Sequence, residues 1–194
     1  MINSNSIDTP VWGYADGNSP TPDGVVEIFL NPGEYFVGGA GFQVRTLLGS
    51  CVSITLWHQR LRFGAMSHYL LSSRPGRTTS AQASEKTRKL DGKYADEVLA
   101  LMITELRNEK IPLAECQAKI FGGGNMFPDR PVRDQFDIGL KNGEAAKHLL
   151  AAYRIPVVSE NLFGFGHREV IFKPGSGDVW VRQVKPDIPT NKPG

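Results

Sequence analysis

The sequence predicts an α+β fold, an α/β sandwich in which two long helices cover a mostly antiparallel β-sheet. Segments with the residue pattern of strands outnumber helical segments by nine to two. The strands do not alternate strictly with helices, as they would in a doubly wound parallel sheet. We expect one domain at residues 25–184, between flexible tails at 1–24 and 185–194 that are rich in Pro and polar residues.

The predicted strands are short runs rich in β-branched and aromatic residues. Turn signals such as Asn31-Pro32-Gly33 and Pro174-Gly175 separate some of them. In chain order they are Val25–Leu30, Glu34–Val37, Val44–Leu48, Val52–Trp57, Arg62–Leu70, Lys119–Phe121, Val157–Glu160, Glu169–Phe172 and Asp178–Val184.

Two segments have apolar residues at the spacing of one buried helix face. They are Tyr94–Arg107 and Gly143–Tyr153. Asn142 directly precedes the second segment and Glu144 lies in its first turn, so we expect Asn142 to be its N-cap.

Composition excludes several classes of protein. The chain has 194 residues, 40% of them hydrophobic, and no apolar run long enough for a transmembrane helix. The first basic residue is Arg45, so the N-terminus lacks the positive charge of a signal peptide. With only Cys51 and Cys116, a disulfide framework is also excluded. We therefore expect a cytoplasmic protein with free thiols and without membrane insertion.

Charge is unevenly distributed along the chain. Residues 1–44 contain five acidic and no basic residues, whereas 74–93 contain six basic and two acidic ones. The basic segment is either a solvated loop or a surface for an acidic partner. It contains no aromatic residue for base stacking, which argues against nucleic acid.

The segments around Cys51 and His68 resemble the two strands of one hairpin. With the loop at His58–Leu61, residues whose numbers sum to 119 lie opposite each other, and Cys51 faces His68. A thiolate is a nucleophile, and a nearby imidazolium would lower the pKa of the thiol below that of free cysteine. Backbone N–H groups near Cys51 would then stabilise an oxyanion. Spacing alone leaves the alternative open, a buried structural thiol and a hydrogen-bonded histidine.

Two further features have simpler explanations. Gly122-Gly123-Gly124 is not followed by the Lys of a phosphate-binding loop, so a tight backbone turn near the active site is favoured. Cys116 lies just before the predicted strand Lys119–Phe121 and has no histidine near it in the sequence, so we expect it to be a buried thiol.

Around Cys51 and His68, and at several later motifs, the sequence resembles the CheD family of chemoreceptor glutamine deamidases. The resemblance covers about residues 25–184 and is carried by the order of several motifs. They are Leu48-Gly-Ser-Cys-Val52, Ala65-Met-Ser-His-Tyr-Leu-Leu71, Lys93-Tyr-Ala-Asp96, Ala118-Lys-Ile-Phe-Gly-Gly-Gly124, Ile138-Gly139, Asn142, Val170-Ile-Phe172, Gly177 and Val179-Trp-Val181.

The resemblance implies a fold, an activity and site residues. CheD proteins are α/β sandwiches whose Cys and His deamidate receptor glutamines, roles that fall here on Cys51 and His68. The family's third polar residue is a Thr shortly before the Cys, which corresponds to Thr46. The implied chemistry hydrolyses glutamine amides of methyl-accepting chemotaxis receptors through a thioester, with no metal or organic cofactor. The alternative is a non-catalytic regulator that binds receptors or a CheC-type phosphatase.

Overall fold

The computed structural model describes residues 24–75, 89–126 and 137–184. The predicted tails therefore lie outside the described residues, apart from Gly24. The strands β1 to β9 are Val26–Phe29, Tyr35–Gly38, Phe42–Leu48, Val52–His58, Phe63–Ser67, Cys116–Gly122, Val157–Leu162, His167–Lys173 and Asp178–Val184. The helices are α1 (Ala95–Asn108), α2 (Ile138–Ala152) and a short 3₁₀ turn at Leu113–Glu115. Within these ranges, no helix is both long and apolar enough to cross a membrane.

The strands form two sheets rather than the single sheet predicted. One has the order β1-β3-β8-β9 and the other β2-β5-β4-β6-β7. The pairs β1–β3 and β6–β7 are parallel, and the other pairs are antiparallel. Helix α1 packs on β2 and β5, and α2 packs on β4, β6 and β7, so both helices cover the five-stranded sheet. The predicted α+β class is confirmed, but the helices cover only one of the two sheets.

Strand β4 contributes to two separate cores because it is covered on both faces. Val52, Ile54 and Leu56 pack into the core between the five-stranded sheet and the helices. Trp57, whose side chain points to the opposite face of the strand, packs against a second core between the two sheets. Cys51, one residue before β4, also packs against this inter-sheet core.

The hairpin of β4 and β5 is confirmed, but its predicted register is wrong by two residues. Leu56 pairs with Ala65, and Val52 forms a bridge with Tyr69, so opposite residues sum to 121 rather than 119. Arg62 adopts a positive φ of 52° and its N–H donates to the carbonyl of Gln59, so the turn lies at Gln59–Arg62, one position later than the predicted loop at His58–Leu61. Because the error is even, every side chain keeps its predicted face.

Helix α2 begins five residues before the predicted start. Its N-cap is Asp137, whose side chain accepts a 2.9 Å hydrogen bond from the N–H of Leu140. The prediction of Asn142 as N-cap is therefore wrong, and Asn142 lies inside the helix. Gly139 weakens the helical pattern of this first turn because glycine disfavours helix. A Cβ on Gly139 would lie 2.5 Å from the Gly123 oxygen, so close packing explains its presence.

Candidate active site

Cys51 lies in the turn that leads from one sheet into the other, between β3 and β4. Its side chain is partly buried. Its carbonyl accepts a 2.9 Å hydrogen bond from the N–H of Gly123, and the carbonyl of Gly49 accepts one of 2.8 Å from the N–H of Gly124. The end of β6 therefore fastens this turn through its backbone on both sides of Ser50.

The glycine turn, Gly122-Gly123-Gly124, packs closely against the backbone of Cys51, and larger residues would prevent this contact. Gly122 has a φ of +114°, and a Cβ there would lie 2.2 Å from the carbonyl oxygen of Cys51. At Gly49 a Cβ would lie 2.9 Å from the Sδ of Met126, a flexible and partly exposed side chain that could move aside. The prediction of a tight backbone turn beside Cys51 is confirmed.

His68 follows β5 and is only 3% exposed. Its Nδ1 lies 2.8 Å from the Oγ1 of Thr46, a fully buried residue of β3, and 3.3 Å from the carbonyl oxygen of Leu30. The Thr46 hydroxyl donates its only proton to that same carbonyl, at 2.7 Å. Nδ1 must then carry a proton and donate it to Thr46, which leaves Nε2 as the unprotonated, basic nitrogen.

Burial keeps both the imidazole and the thiol in their neutral forms. Desolvation lowers the pKa of His68 to about 4, although the hydrogen bond to Leu30 opposes this shift. Desolvation raises the pKa of Cys51, although the backbone N–H of Cys51 itself opposes this shift. The expectation of a Cys51 pKa below that of free cysteine is therefore wrong for this state.

Cys51 and His68 lie on the same face of the five-stranded sheet but not directly opposite each other. Cys51 packs against the inter-sheet core, as does Met66, which is two residues before His68. In the observed register, Cys51 is two residues from the position opposite His68. Diagonal neighbours of this kind remain within reach of long or aromatic side chains. No hydrogen bond joins the two side chains.

The second cysteine, unlike Cys51, has a histidine directly opposite it, although none lies near it in the sequence. Cys116 pairs directly with His58 across β4 and β6. Cys116 is 1% exposed, and burial followed by the charge of Glu115 raises its pKa to about 11. The predicted buried thiol is confirmed, and its inaccessibility makes it a poor nucleophile.

Arg168 is a buried cation close to the turn that carries Cys51. It is 2% exposed, and its guanidinium donates to Asn161 Oδ1 at 2.6 Å and to the carbonyl of Phe163. Its Nη1 has no hydrogen-bond partner among the described residues and lies beside Gly124, where a Cβ would be 3.0 Å away. Desolvation lowers the pKa of Arg168. Arg168 therefore packs beside Gly124, a position that no local sequence pattern indicates.

The basic segment 74–93 falls mostly outside the described residues, which omit 76–88. The guanidinium of its first residue, Arg74, donates two hydrogen bonds to the carboxylate of Glu97 in α1, at 2.6 and 2.7 Å. Its guanidinium also lies over the ring of Tyr94, 4.6 Å from the centroid. Arg74 is therefore engaged within the protein, and an acidic partner for this segment stays a prediction.

Known proteins resemble this chain over most of its length. The family described as "CheD chemotactic sensory transduction" matches residues 77–183, a segment that begins after Cys51 and His68. A "Probable chemoreceptor glutamine deamidase CheD 2" of Albidiferax ferrireducens is 55% identical over 161 residues, which are 83% of this chain and 89% of the relative. A "CheD 3" of the same description from Dechloromonas aromatica is 41% identical, covering 84% of this chain and 91% of its own. A CheD of Pseudomonas savastanoi pv. phaseolicola is 42% identical, covering 84% and 87%.

Proposed function

The chain belongs to the CheD family, and on that premise we propose that it deamidates glutamine side chains of chemoreceptors through Cys51, His68 and Thr46. One observation supports this most strongly. Thr46 holds Nδ1 of His68 in the protonated form, which leaves Nε2 as a base on the sheet face that Cys51 also occupies. The cytoplasmic location expected from the sequence is part of the proposal.

The reaction begins with both reacting groups uncharged. As Cys51 Sγ attacks the amide carbon, its proton passes to Nε2 of His68, so the ion pair forms only during the attack. The hydrogen bonds from Nδ1 to Thr46 and Leu30 then stabilise the imidazolium, as an orienting third group does in other triads. The high pKa of the resting thiol is consistent with this order of events.

The tetrahedral intermediate collapses by losing ammonia. The imidazolium returns its proton to the leaving nitrogen, the C–N bond breaks, and a thioester joins Cys51 to the glutamyl carbonyl. His68 next removes a proton from water, whose oxygen attacks the thioester. The C–S bond then breaks, the imidazolium returns its proton to the Cys51 sulfur, and the receptor side chain leaves as glutamate.

Mass analysis of a receptor fragment tests the proposal directly. Each deamidation replaces an amide by an acid and adds about one dalton to the substrate. We expect this increase with the wild-type protein and with Cys116→Ala, the matched control for removal of a thiol. We expect none with Cys51→Ala, and full activity of that variant would refute the cysteine chemistry.

The same assay separates the other candidates. A regulator that binds receptors or a CheC-type phosphatase without catalysis would retain its binding in Cys51→Ala and give no mass increase in any variant. An amidase for small molecules would release ammonia from free glutamine as fast as from receptor fragments.

A further inference from the structure

Asn142 is a fully buried amide in the second turn of α2. Its Nδ2 donates to two backbone carbonyls, to Ser50 at 3.1 Å and to Leu70 at 2.7 Å. One carbonyl belongs to the residue before Cys51, and the other lies two residues after His68. A single side chain therefore joins the two segments that carry the proposed nucleophile and base.

The orientation of the amide follows from these contacts. The Oδ1 of Asn142 is buried and has no hydrogen-bond partner among the described residues. A rotated amide would place this oxygen against two carbonyl oxygens, which only repel it. The unmet hydrogen bond of Oδ1 costs free energy, so the contacts of Nδ2 are favourable enough to outweigh it.

The hydrogen bond from Asn142 to the Ser50 carbonyl determines the direction in which the N–H of Cys51 points. In a planar trans peptide, the C=O of one residue and the N–H of the following residue point in opposite directions. Because Asn142 draws the Ser50 carbonyl towards α2, the N–H of Cys51 points away from the helix. That side is where the Cys51 side chain packs, against the inter-sheet core.

This N–H is available to a substrate. No backbone carbonyl of the described residues accepts a hydrogen bond from it. It belongs to the same residue as the sulfur and so lies beside it, and it opposes the rise in the pKa of the Cys51 thiol that burial causes. A donor fixed beside the nucleophile is the arrangement that stabilises the oxyanion of a tetrahedral intermediate.

We propose that Asn142 is a positioning residue, which locks the Ser50–Cys51 peptide so that the N–H of Cys51 faces the oxygen of the bound glutamine amide. This inference rests on the proposed function. Asn142 touches neither the substrate nor the reacting atoms, and acts only through the peptide that it holds. Its removal should lower the rate of the chemical step without weakening substrate binding.

The test compares Asn142→Leu, which has the same branched arrangement of side-chain heavy atoms but no donor, with Tyr69→Phe. The hydroxyl of Tyr69 donates to the backbone carbonyl of Asn142 at 2.7 Å, so Tyr69→Phe also removes a buried link to α2 but leaves the Ser50 carbonyl bound. Deamidation kcat and KM, the melting temperature, and the alkylation rate of Cys51 by iodoacetamide are measured for each. Alkylation is the control reaction because displacement at a tetrahedral carbon forms no oxyanion. It is measured at a pH where the thiolate predominates, so that a change in the pKa of Cys51 does not alter the rate.

For Asn142→Leu we expect kcat to fall about 10- to 100-fold, somewhat less than loss of a whole oxyanion donor causes. KM and the alkylation rate should stay within about twofold of wild type. Tyr69→Phe should melt at a lower temperature and keep its kcat. A wild-type kcat in Asn142→Leu overturns the proposal, and so does a parallel fall of kcat and alkylation.

A further variant and a control complete the test. If Asn142→Leu gives no cooperative melt, Asn142→Ser replaces it, since a serine disturbs the packing less and cannot span both carbonyls. A wild-type kcat in that variant also overturns the proposal. Cys51→Ala runs in the same assay: if it is inactive while the Asn142 variants are fully active, only the present inference fails.

Discussion

Replacing Thr46 by Val should impair catalysis because it removes the hydroxyl that orients His68. Valine has nearly the shape of threonine, so the buried site keeps its packing. Two hydrogen bonds are lost, the 2.7 Å bond to the Leu30 carbonyl and the 2.8 Å contact with His68 Nδ1. At about 1 kcal/mol each, the total is about 2 kcal/mol.

This free energy should appear in two measurements. If the whole of this free energy is lost from stabilisation of the transition state, kcat for deamidation falls about 30-fold. As a loss of folding stability it lowers the melting temperature by about 4 to 8 °C. KM should change little, because the proposed role of Thr46 is to hold His68 and not the receptor.

Thr46→Ser provides the matched control, since it retains the hydroxyl and loses only a methyl group. Its kcat should stay within a few-fold of the wild-type value, although the small cavity lowers its melting temperature. Equal kcat values for the Val and Ser variants would refute the proposed part of Thr46 in orienting His68.

Three other predictions follow from burial and backbone geometry. The pKa of His68 falls from about 6.5 in the unfolded chain to about 4 when folded, so the free energy of unfolding should drop by about 3 kcal/mol as the pH falls from 6.5 to 4. His68→Asn, which cannot titrate, should flatten that part of the profile in chemical denaturation. Alkylation of Cys51 should have a midpoint above that of free cysteine in a pH series; a midpoint below it would contradict the neutral resting pair. Gly122→Ala should lower the unfolding free energy by several kcal/mol, because its Cβ would meet the Cys51 carbonyl at a positive φ. Gly41→Ala, where a Cβ meets nothing within 4 Å, is the control in the same denaturation experiment.

The sequence could place Cys51 and His68 on one strand face because strand periodicity is a local property, whereas their candidate roles as nucleophile and base came from the resemblance to the CheD family. Alternation along the two strands placed Cys51 and His68 on one face, and an error of two residues in register preserved that result. Thr46 came from the family resemblance. No local pattern relates it to His68, since its strand belongs to the other sheet.

The ionisation states of the site depended on tertiary packing. The sequence suggested a thiolate beside an imidazolium, but burial between two sheets disfavours charge on both groups. The second sheet that causes this burial was missed, because its strands have the same alternating pattern as those of a single sheet covered by helices.

Asn142 shows most clearly where the sequence stops being sufficient. An Asn before an apolar helical pattern is a reasonable N-cap, and Glu144 in the following turn supported that assignment. Only the folded chain shows that the glycines at 139 and 143 allow α2 to approach the glycine turn and Phe163 closely. Local sequence determined the strands, the two helices and the face that carries the thiol. Packing between elements distant in sequence determined which polar groups surround that thiol, because hydrogen bonds to Ser50 and Leu70 exist only once α2 is docked.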